Sequence, residues 1–255
     1  MRYRLLALDL DETLLTKDKQ ISSECKKWIE QTKKSGVAVI MATGRGRQRV
    51  ESIQRELVLD SPMVLVNGGE VWGMDDVLLE RSLIPHDKIR ILHQLAESFG
   101  ASYWGYNLES LVGRKHWNEE MFSKDWLKFG MRHSDSETLL KIKEAVSTFS
   151  DLGITHSGPT NIEIGLRGKS KATGIKRVCR HLGIKMEEVM AIGDNLNDLS
   201  MIRAAGLGVA MGNANAQLKA AADVVTETNE REGVALAIQN YLFSTIKSVD
   251  EKKVT

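Results

Sequence analysis

The stretch Leu5-Leu6-Ala7-Leu8-Asp9-Leu10-Asp11-Glu12-Thr13 decides the fold, because it joins an apolar run directly to closely spaced acids. The continuous apolar run over 5–8 predicts a parallel strand that is covered on both faces. Ligands of open α/β sheets bind where such strands end, and Asp9 and Asp11 follow at that point. Two carboxylates at the edge of a core are unfavourable unless a cation compensates them, and Mg²⁺ is the simplest candidate.

Two further buried strands follow, with helical segments between them. The second strand is predicted over 37–42 and the third over 63–66, with one helix over about 22–35 and another ending near Leu57. This βαβαβ order predicts a doubly wound, mostly parallel α/β sheet. The second strand ends in Thr43-Gly44-Arg45-Gly46, and such a loop presents backbone N–H groups and a helix start to an anion.

The pattern changes after this sheet segment. A hairpin is predicted within 70–83, and helices are then predicted over 85–99 and 137–149, with a strand over 161–164. Most of the aromatic residues lie in the same region, which we interpret as an α+β insert. The predicted division of the chain is a discontinuous core domain of 1–83 and 166–243, a cap domain of 84–165, and a polar C-terminal tail of 244–255.

The sheet pattern resumes after the insert. A helix is predicted over 170–182 and a strand over 188–192, which ends in Gly193-Asp194-Asn195-Leu196-Asn197-Asp198. If the strands are neighbours, their polar ends converge at one edge of the sheet.

This convergence predicts a cation site. Asp9 and Asp194 are expected to share one Mg²⁺, with a backbone carbonyl near Asp11 and water completing an oxygen shell. Lys171, at the start of the following helix, is the side chain expected to bring a positive charge to the same edge.

These motifs resemble, in order and spacing, those of the haloacid dehalogenase phosphohydrolase superfamily. Its signature is a DxD motif after strand one, Ser or Thr after strand two, a lysine, and then an acidic GDxxND-type motif. The matching segments are 9–14, 43–45, 168–171 and 193–198, and 208–214 looks like the Cof-type branch. That branch carries a large α/β cap between the second and third motifs, where the insert lies here.

The resemblance implies a role for each motif residue. Asp9 is expected to attack a phosphate monoester and form an aspartyl-phosphate, while Asp11 transfers the proton. The groups expected to hold the phosphate are those of Leu10, Thr43, Gly44, Lys171 and Asn197. The metal contacts implied are Asp9, Asp11 and Asp194. Asp198 is expected to support these ligands without contacting the metal itself.

Some residues depart from the family pattern or remain outside the predicted site. The family most often has glycine where this chain has Glu12, and commonly has glycine at the position of Ala172.

Glu163 and Arg167 lie near the return to the core, where they are expected to approach the leaving group. Two further groups are interpreted as structural. The arginines Arg45, Arg47 and Arg49 are predicted to form a charged helix face, and the aromatics Tyr103, Trp104, Trp117 and Trp126 to be core or interface residues.

The leading functional hypothesis is a Mg²⁺-dependent phosphatase of small phosphorylated metabolites, either sugar phosphates or phosphorylated cofactor precursors. A sugar phosphomutase would use the same catalytic residues. A phospho-accepting receiver module also joins an acidic Mg²⁺ site to a phosphorylated aspartate, but it needs only about half this length. A dinucleotide-binding domain is disfavoured because the glycine fingerprint after strand one is absent.

Composition excludes several other classes of function. The 255 residues are 42% hydrophobic and 27% charged, which is ordinary for a globular enzyme. Thirty-five basic residues against 34 acidic ones leave a charge of +1, so nucleic acid is not an expected partner. Two cysteines provide no disulfide or zinc pattern, which predicts a reducing cytoplasmic location. No apolar run suits a membrane span, so a membrane is not an expected partner. The partner that the resemblance implies is a small phosphate monoester.

Overall fold

The computed structural model describes residues 2–155, 158 and 160–244, which fold around two β-sheets. The strands, in chain order, are β1 (Leu5–Leu8), β2 (Ala38–Ala42), β3 (Met63–Leu65), β4 (Glu70–Trp72), β5 (Leu78–Arg81), β6 (Ser102–Asn107), β7 (Leu111–Gly113), β8 (Trp126–Arg132), β9 (Leu152–Thr155), β10 (Asn161–Leu166), β11 (Val189–Gly193), β12 (Leu207–Ala210) and β13 (Val224–Val225). The α-helices are α1 (Ser23–Lys34), α2 (Glu51–Glu56), α3 (His86–Ser98), α4 (Ser136–Ser147), α5 (Lys171–Leu182), α6 (Leu199–Ala204), α7 (Ala216–Ala221) and α8 (Gly233–Ile238).

The larger sheet has the strand order β13-β12-β11-β1-β2-β3-β4-β5. Its strands run parallel from β13 to β3, and the hairpin of β4 and β5 adds two antiparallel strands at one edge. β1 lies between β11 and β2, so its four residues are buried on both faces. The predicted α/β fold with a mostly parallel sheet is thereby confirmed.

Local capping explains where the main helices begin and end. Ser22 accepts a hydrogen bond from a backbone N–H at the start of α1, and Gly36 follows that helix with φ +83°. Ser170 caps α5, and Gly183 ends it in the left-handed conformation. The helix predicted to end near Leu57 is divided into a 3₁₀ turn over Arg47–Arg49 and the short helix α2.

The smaller sheet is antiparallel and has the order β7-β6-β8-β10-β9. Helices α3 and α4 pack against one face and form a second core with buried Tyr103, Trp126 and Phe129. The sequence predicted only β10 among these strands. The regular alternation of apolar residues is interrupted by glycines, and a bulge lies between Tyr106 and Asn107 where β6 pairs with β8.

The smaller sheet contacts the loops at the carboxyl end of the larger one. Lys128 on β8 donates a hydrogen bond to the carbonyl of Gly44 at 2.9 Å, and Gln48 donates to the carbonyl of Leu108 at 2.8 Å. Among the described residues, no helix combines the length and apolar character needed to cross a membrane. Residues 245–255 of the predicted polar tail lie outside the described part of the chain.

Candidate active site

Three acids and one lysine meet at the carboxyl ends of β1 and β11. Asp9 follows β1, while Asp194 and Asp198 lie in the turn after β11, and all three are buried. One carboxylate oxygen from each lies within 4.8 Å of the others. The Nζ atom of Lys171 donates to Asp9 Oδ1 at 2.5 Å and also contacts the carboxylate of Asp198. The predicted convergence of strand ends therefore occurs in the structure.

Two glycines allow Lys171 to reach this point from the first turn of α5. Gly174 packs against β3 so closely that an added Cβ would lie 2.4 Å from a methyl carbon of Val64. Gly68 has φ +92°, and its added Cβ would lie 2.2 Å from the carbonyl oxygen of Ser170. Because neither position has room for a side chain, the start of α5 lies directly against the strand ends.

Three buried carboxylates, those of Asp9, Asp194 and Asp198, surround one buried cation, Lys171. Burial and the neighbouring carboxylate of Asp198 raise the pKa of Asp9 well above its usual range, although Lys171 opposes the shift. The same two causes raise the pKa of Asp194 to about 7. Burial lowers the pKa of Lys171, but the carboxylates of Asp198 and Asp9 outweigh it and raise the value. This acidic, oxygen-only donor set fits a hard divalent cation such as Mg²⁺.

The acids are held in place by different partners. Thr13 Oγ1 donates to Asp194 Oδ1 at 2.8 Å. Asp198 Oδ2 accepts the backbone N–H groups of Asp194 and Asn195 at 2.9 and 3.0 Å, while Oδ1 contacts Lys171. Both oxygens of Asp198 are thus engaged, which favours a supporting role for it over direct metal contact. That role stays a prediction.

The predicted phosphate loop lies beside these acids. Thr43 is buried, its N–H donates to the carbonyl of Val64 at 2.9 Å, and its Oγ1 accepts the N–H of Arg45 at 3.2 Å. Leu10 is also buried, and its carbonyl accepts the N–H of Leu15 at 2.8 Å, which closes the turn after β1. Thr43 does not cap a helix through its side chain, because the following 3₁₀ turn begins at Arg47.

A cavity of about 410 Å³ opens above this edge of the sheet. Its volume is within the usual range for small-molecule sites of roughly 300–1,000 Å³. Among the residues predicted for the site, those that line the cavity are Asp9, Asp11, Thr43, Gly44, Asp194 and Asn197. Lys171 and Asp198 are fully buried behind Asp9, and the side chain of Leu10 is buried in the larger core.

The interpretation of Arg45 as part of a charged helix face is wrong. Arg45 Nε donates to Asp11 Oδ2 at 2.8 Å and its Nη2 donates to Oδ1 at 2.7 Å, while Lys19 Nζ donates to Oδ1 at 2.9 Å. Burial raises the pKa of Asp11, but these hydrogen bonds outweigh it and hold the value well below the usual range. In this arrangement Asp11 is a carboxylate, so it must exchange these partners before it can donate a proton.

Sequence reasoning missed Asn67, which follows β3 and links the two sheets. Its Nδ2 donates to Glu163 Oε2 at 3.1 Å, and its Oδ1 accepts from Asn197 Nδ2 at 3.3 Å. Asn197 Oδ1 is buried without a hydrogen-bond partner in the described part of the chain. Asn197 therefore hydrogen-bonds to Asn67 at the cavity wall, and its contact with phosphate stays a prediction. The signal that could have identified Asn67 is its position at the end of the third predicted strand, where the other strands also carry polar residues.

Lys128 and Glu163, which lie on strands of the smaller sheet, add two charged side chains to the wall of the cavity. Lys128 Nζ lies 2.8 Å from Glu163 Oε2, and both side chains are buried and line the cavity. Glu163 therefore lies where the sequence suggested. Arg167 does not, because it is exposed and donates to the carbonyl of Phe149 at 2.9 Å.

Glu12 occupies a backbone conformation that explains why the family most often has glycine at this position. Its φ is +58°, a left-handed value that favours glycine. Its carbonyl accepts Asn213 Nδ2 at 2.7 Å, and its carboxylate lies 3.7 Å from Lys19 Nζ at the cavity wall. The chain thus keeps a charged side chain at the cavity in a strained conformation.

We predict that Glu12→Gly will raise the free energy of unfolding by about 1 kcal/mol, because glycine removes the left-handed strain. Glu12→Ala is the matched control, since it removes the same charge but keeps the strain. The measurement is denaturant unfolding of both variants. A glycine variant no more stable than the alanine variant would contradict the assignment of strain to this residue.

Similarity to known proteins extends over most of the chain. Residues 6–145 and 117–238 match the family model described as haloacid dehalogenase-like hydrolase. The chain is 38% identical over 239 residues to the 5-amino-6-(5-phospho-D-ribitylamino)uracil phosphatase YcsE of Bacillus subtilis, which covers 94% of this chain and 96% of that protein. It is 31% identical over 261 residues to a second B. subtilis phosphatase named for the same substrate, YitU, covering 93% and 97% respectively.

Solved structures show the same fold. A haloacid dehalogenase-like hydrolase from B. subtilis is 27% identical and superposes with a TM-score of 0.84. The match covers 93% of this chain and 99% of that structure. The likeness therefore includes both sheets.

Proposed function

We propose that this chain, which belongs to the haloacid dehalogenase-like hydrolase family and is a phosphatase of it, hydrolyses small phosphorylated metabolites with Mg²⁺ through an aspartyl-phosphate. The observation that carries the proposal is Asp9, buried between Lys171 and Asp194 at the floor of a ligand-sized cavity. Two relatives are named as phosphatases of 5-amino-6-(5-phospho-D-ribitylamino)uracil, and we propose sugar phosphates or phosphorylated cofactor precursors as the substrates here.

In this proposal Asp9 forms a bond to phosphorus while the bond from phosphorus to the leaving oxygen breaks. Asp11, once it has exchanged Arg45 and Lys19 and taken a proton from solvent, gives that proton to the leaving oxygen, then removes a proton from the water that attacks phosphorus and releases Asp9. Bound Mg²⁺, held by Asp9 and Asp194, would offset the negative charge between the nucleophile and the phosphate. Lys171 holds Asp9 in place through the 2.5 Å contact, while Thr43 and Gly44 face the phosphoryl oxygens.

We propose that 84–165 acts as a cap that covers the substrate and sets its specificity. The hydrogen bond from Lys128 to the carbonyl of Gly44 supports this role, because it joins the insert to the phosphate loop. Cover of this kind excludes water from the site during phosphoryl transfer. We also propose a cytoplasmic location, which the free cysteines Cys25 and Cys179 support.

The proposal is tested with a panel of phosphorylated metabolites and the purified chain. The panel contains 5-amino-6-(5-phospho-D-ribitylamino)uracil, pyridoxal phosphate and several sugar phosphates, each with Mg²⁺ or with EDTA. We expect release of inorganic phosphate only with Mg²⁺. Transfer of phosphate between sugar hydroxyls would instead indicate a mutase, and a stable phosphoprotein without release would indicate a receiver.

A further inference from the structure

Strand β6 presents alternate aromatic side chains to opposite faces of the smaller sheet. Tyr103 faces the second core, where its ring lies 5.7 Å from that of Phe129 between centroids. Trp104 and Tyr106 instead line the cavity above the acids. We call these two residues the aromatic shelf. Tyr103 is buried in the second core as expected, whereas Trp104 belongs to neither core and lines the cavity.

The indole of Trp104 lies over Gly130, its neighbour on β8, which has no side chain. Trp104 pairs with Gly113 on β7 and with Gly130 on β8, and Gly130 in turn pairs with Glu163. A Cβ added to Gly130 would lie 2.2 Å from an atom of the indole ring. One face of the indole therefore covers the backbone of Gly130, and the guanidinium carbon of Arg132 lies 5.8 Å from the ring centroid.

Tyr106 has a different position, because it is fixed between the two sheets. It is only 5% exposed, and an added Cβ at Gly46 would lie 3.0 Å from its ring. Lys128 Nζ lies 5.1 Å from the ring centroid. Tyr106 therefore joins the smaller sheet to the phosphate loop, and Trp104, which is half-buried, provides the accessible part of the shelf.

A role in stabilising the sheet explains only part of the position of Trp104. Aromatic side chains stabilise sheets by covering glycine on a neighbouring strand, and this accounts for the indole face on Gly130. It does not account for the position of the half-buried indole at the cavity, where a phosphate held near Asp9 would direct its leaving group. Aromatic faces that line ligand cavities bind planar rings by stacking.

We propose that Trp104 stacks on a planar heterocycle in the leaving group, so that the preferred substrates are phosphate monoesters that carry such a ring. The inference rests on the proposed phosphatase function, and it adds the substrate feature and the residue that recognises it. The cavity of about 410 Å³ leaves room for a ring beyond the phosphate and a short polyol. Two relatives named for a phosphorylated aminouracil agree with this ring chemistry.

The experiment compares two ligands that share the same phosphorylated chain. One is 5-amino-6-(5-phospho-D-ribitylamino)uracil and the other is ribitol 5-phosphate, which lacks the ring. Stacking of a base on an aromatic side chain contributes roughly tenfold or more to affinity. We therefore expect Trp104→Ala to lower the ratio of kcat/KM for the ring substrate over the ringless one by about tenfold.

Two further variants separate stacking from structural damage. Trp104→Phe keeps an aromatic face and should retain most of the preference for the ring substrate. Gly130→Ala keeps the indole but displaces it, because the new methyl group overlaps the ring, so the ratio should fall. Thermal unfolding of each variant reports any loss of cap stability, which would affect both ligands alike.

A binding measurement keeps the test independent of turnover. Dissociation constants for both ligands are measured by calorimetry in the Asp9→Asn background, with and without Trp104→Ala. If Trp104→Ala leaves the ratio of the two constants unchanged, the shelf does not recognise the ring and the inference is overturned. Absence of phosphate release from every monoester by the wild-type chain would instead refute the proposed function, whatever the binding ratio.

Discussion

Asp9→Asn is expected to abolish Mg²⁺-dependent hydrolysis of every phosphate monoester that the wild-type chain accepts, with a loss of at least about four orders of magnitude in kcat. The amide of asparagine is a poor nucleophile and a weak metal ligand, yet it has nearly the same shape as the carboxylate. The measurement is phosphate release from the best substrate of the panel. Turnover within a factor of about ten of wild type would disprove the nucleophile assignment.

The same substitution should leave the fold intact. Burial and Asp198 raise the pKa of Asp9, so its ionised form destabilises the metal-free folded state relative to the unfolded chain. Removing that charge is therefore expected to keep or increase the melting temperature in EDTA, with Lys171 still paired with Asp198. Mg²⁺ should raise the melting temperature of the wild type more than that of Asp9→Asn.

An exposed aspartate provides the matched control. Asp18→Asn makes the same chemical change in the loop after β1, where the residue is exposed. This variant should keep wild-type activity and the wild-type response to Mg²⁺. An equal loss of activity in both variants would indicate that the assay reports general damage and not the chemistry of Asp9.

The core of the site could be predicted because sequence spacing determines it. Parallel strands place their carboxyl ends at one edge of a sheet, so the acids after β1 and β11 meet there once the two strands are neighbours, as they are in the structure. Lys171 follows from the same geometry, since α5 begins at this edge. These relations need only the order of strands and helices, and the apolar runs show that order directly.

The contacts of Arg45 and Asn67 could not be predicted in this way. Whether a loop residue turns toward the site depends on local dihedral angles, and Asn67 has φ +54° within the turn after β3. Arg45 precedes the 3₁₀ turn and not an α-helix, so its side chain reaches Asp11 and does not join a helix face. Spacing along the chain contains little information about either feature.

The smaller sheet was difficult for a related reason. Gly105, Gly113 and Gly130 occupy strand positions where an alternating side chain would have revealed the pattern. Gly130 makes room for Trp104 at the cavity, and Gly105 makes room for Trp126 in the second core, so glycines that hide the strands from sequence reasoning are also packing sites for aromatic residues. The specificity of the site was therefore the least predictable feature of this chain.

Lys171→Met is expected to cause the second large effect, a loss of about 3–5 kcal/mol in the free energy of unfolding. The lysine is fully buried between Asp9 and Asp198, so its removal leaves buried carboxylates without a positive partner. Hydrolysis should fall by at least about a hundredfold, because the charge beside the nucleophile is lost. Urea unfolding in EDTA and phosphate release with Mg²⁺ measure the two effects.

Lys169→Met is the control, because it removes the same charge two residues earlier. Its Nζ pairs with Glu80, and the side chains are 31% and 33% exposed. Partly exposed ion pairs contribute at most about 1 kcal/mol, so the loss of stability should be small. A loss as large as that of Lys171→Met would show that burial between two acids is not the cause.

Adding Asp198→Asn to Lys171→Met separates the contribution of this lysine to stability from its contribution to hydrolysis. Asparagine removes one unpaired buried charge and keeps an oxygen that can accept the N–H groups of Asp194 and Asn195. The double variant should therefore recover part of the lost stability. It should not recover hydrolysis, because Asp9 still lacks the cation that holds it at 2.5 Å. Recovery of both together would mean that Lys171 acts only by stabilising the fold.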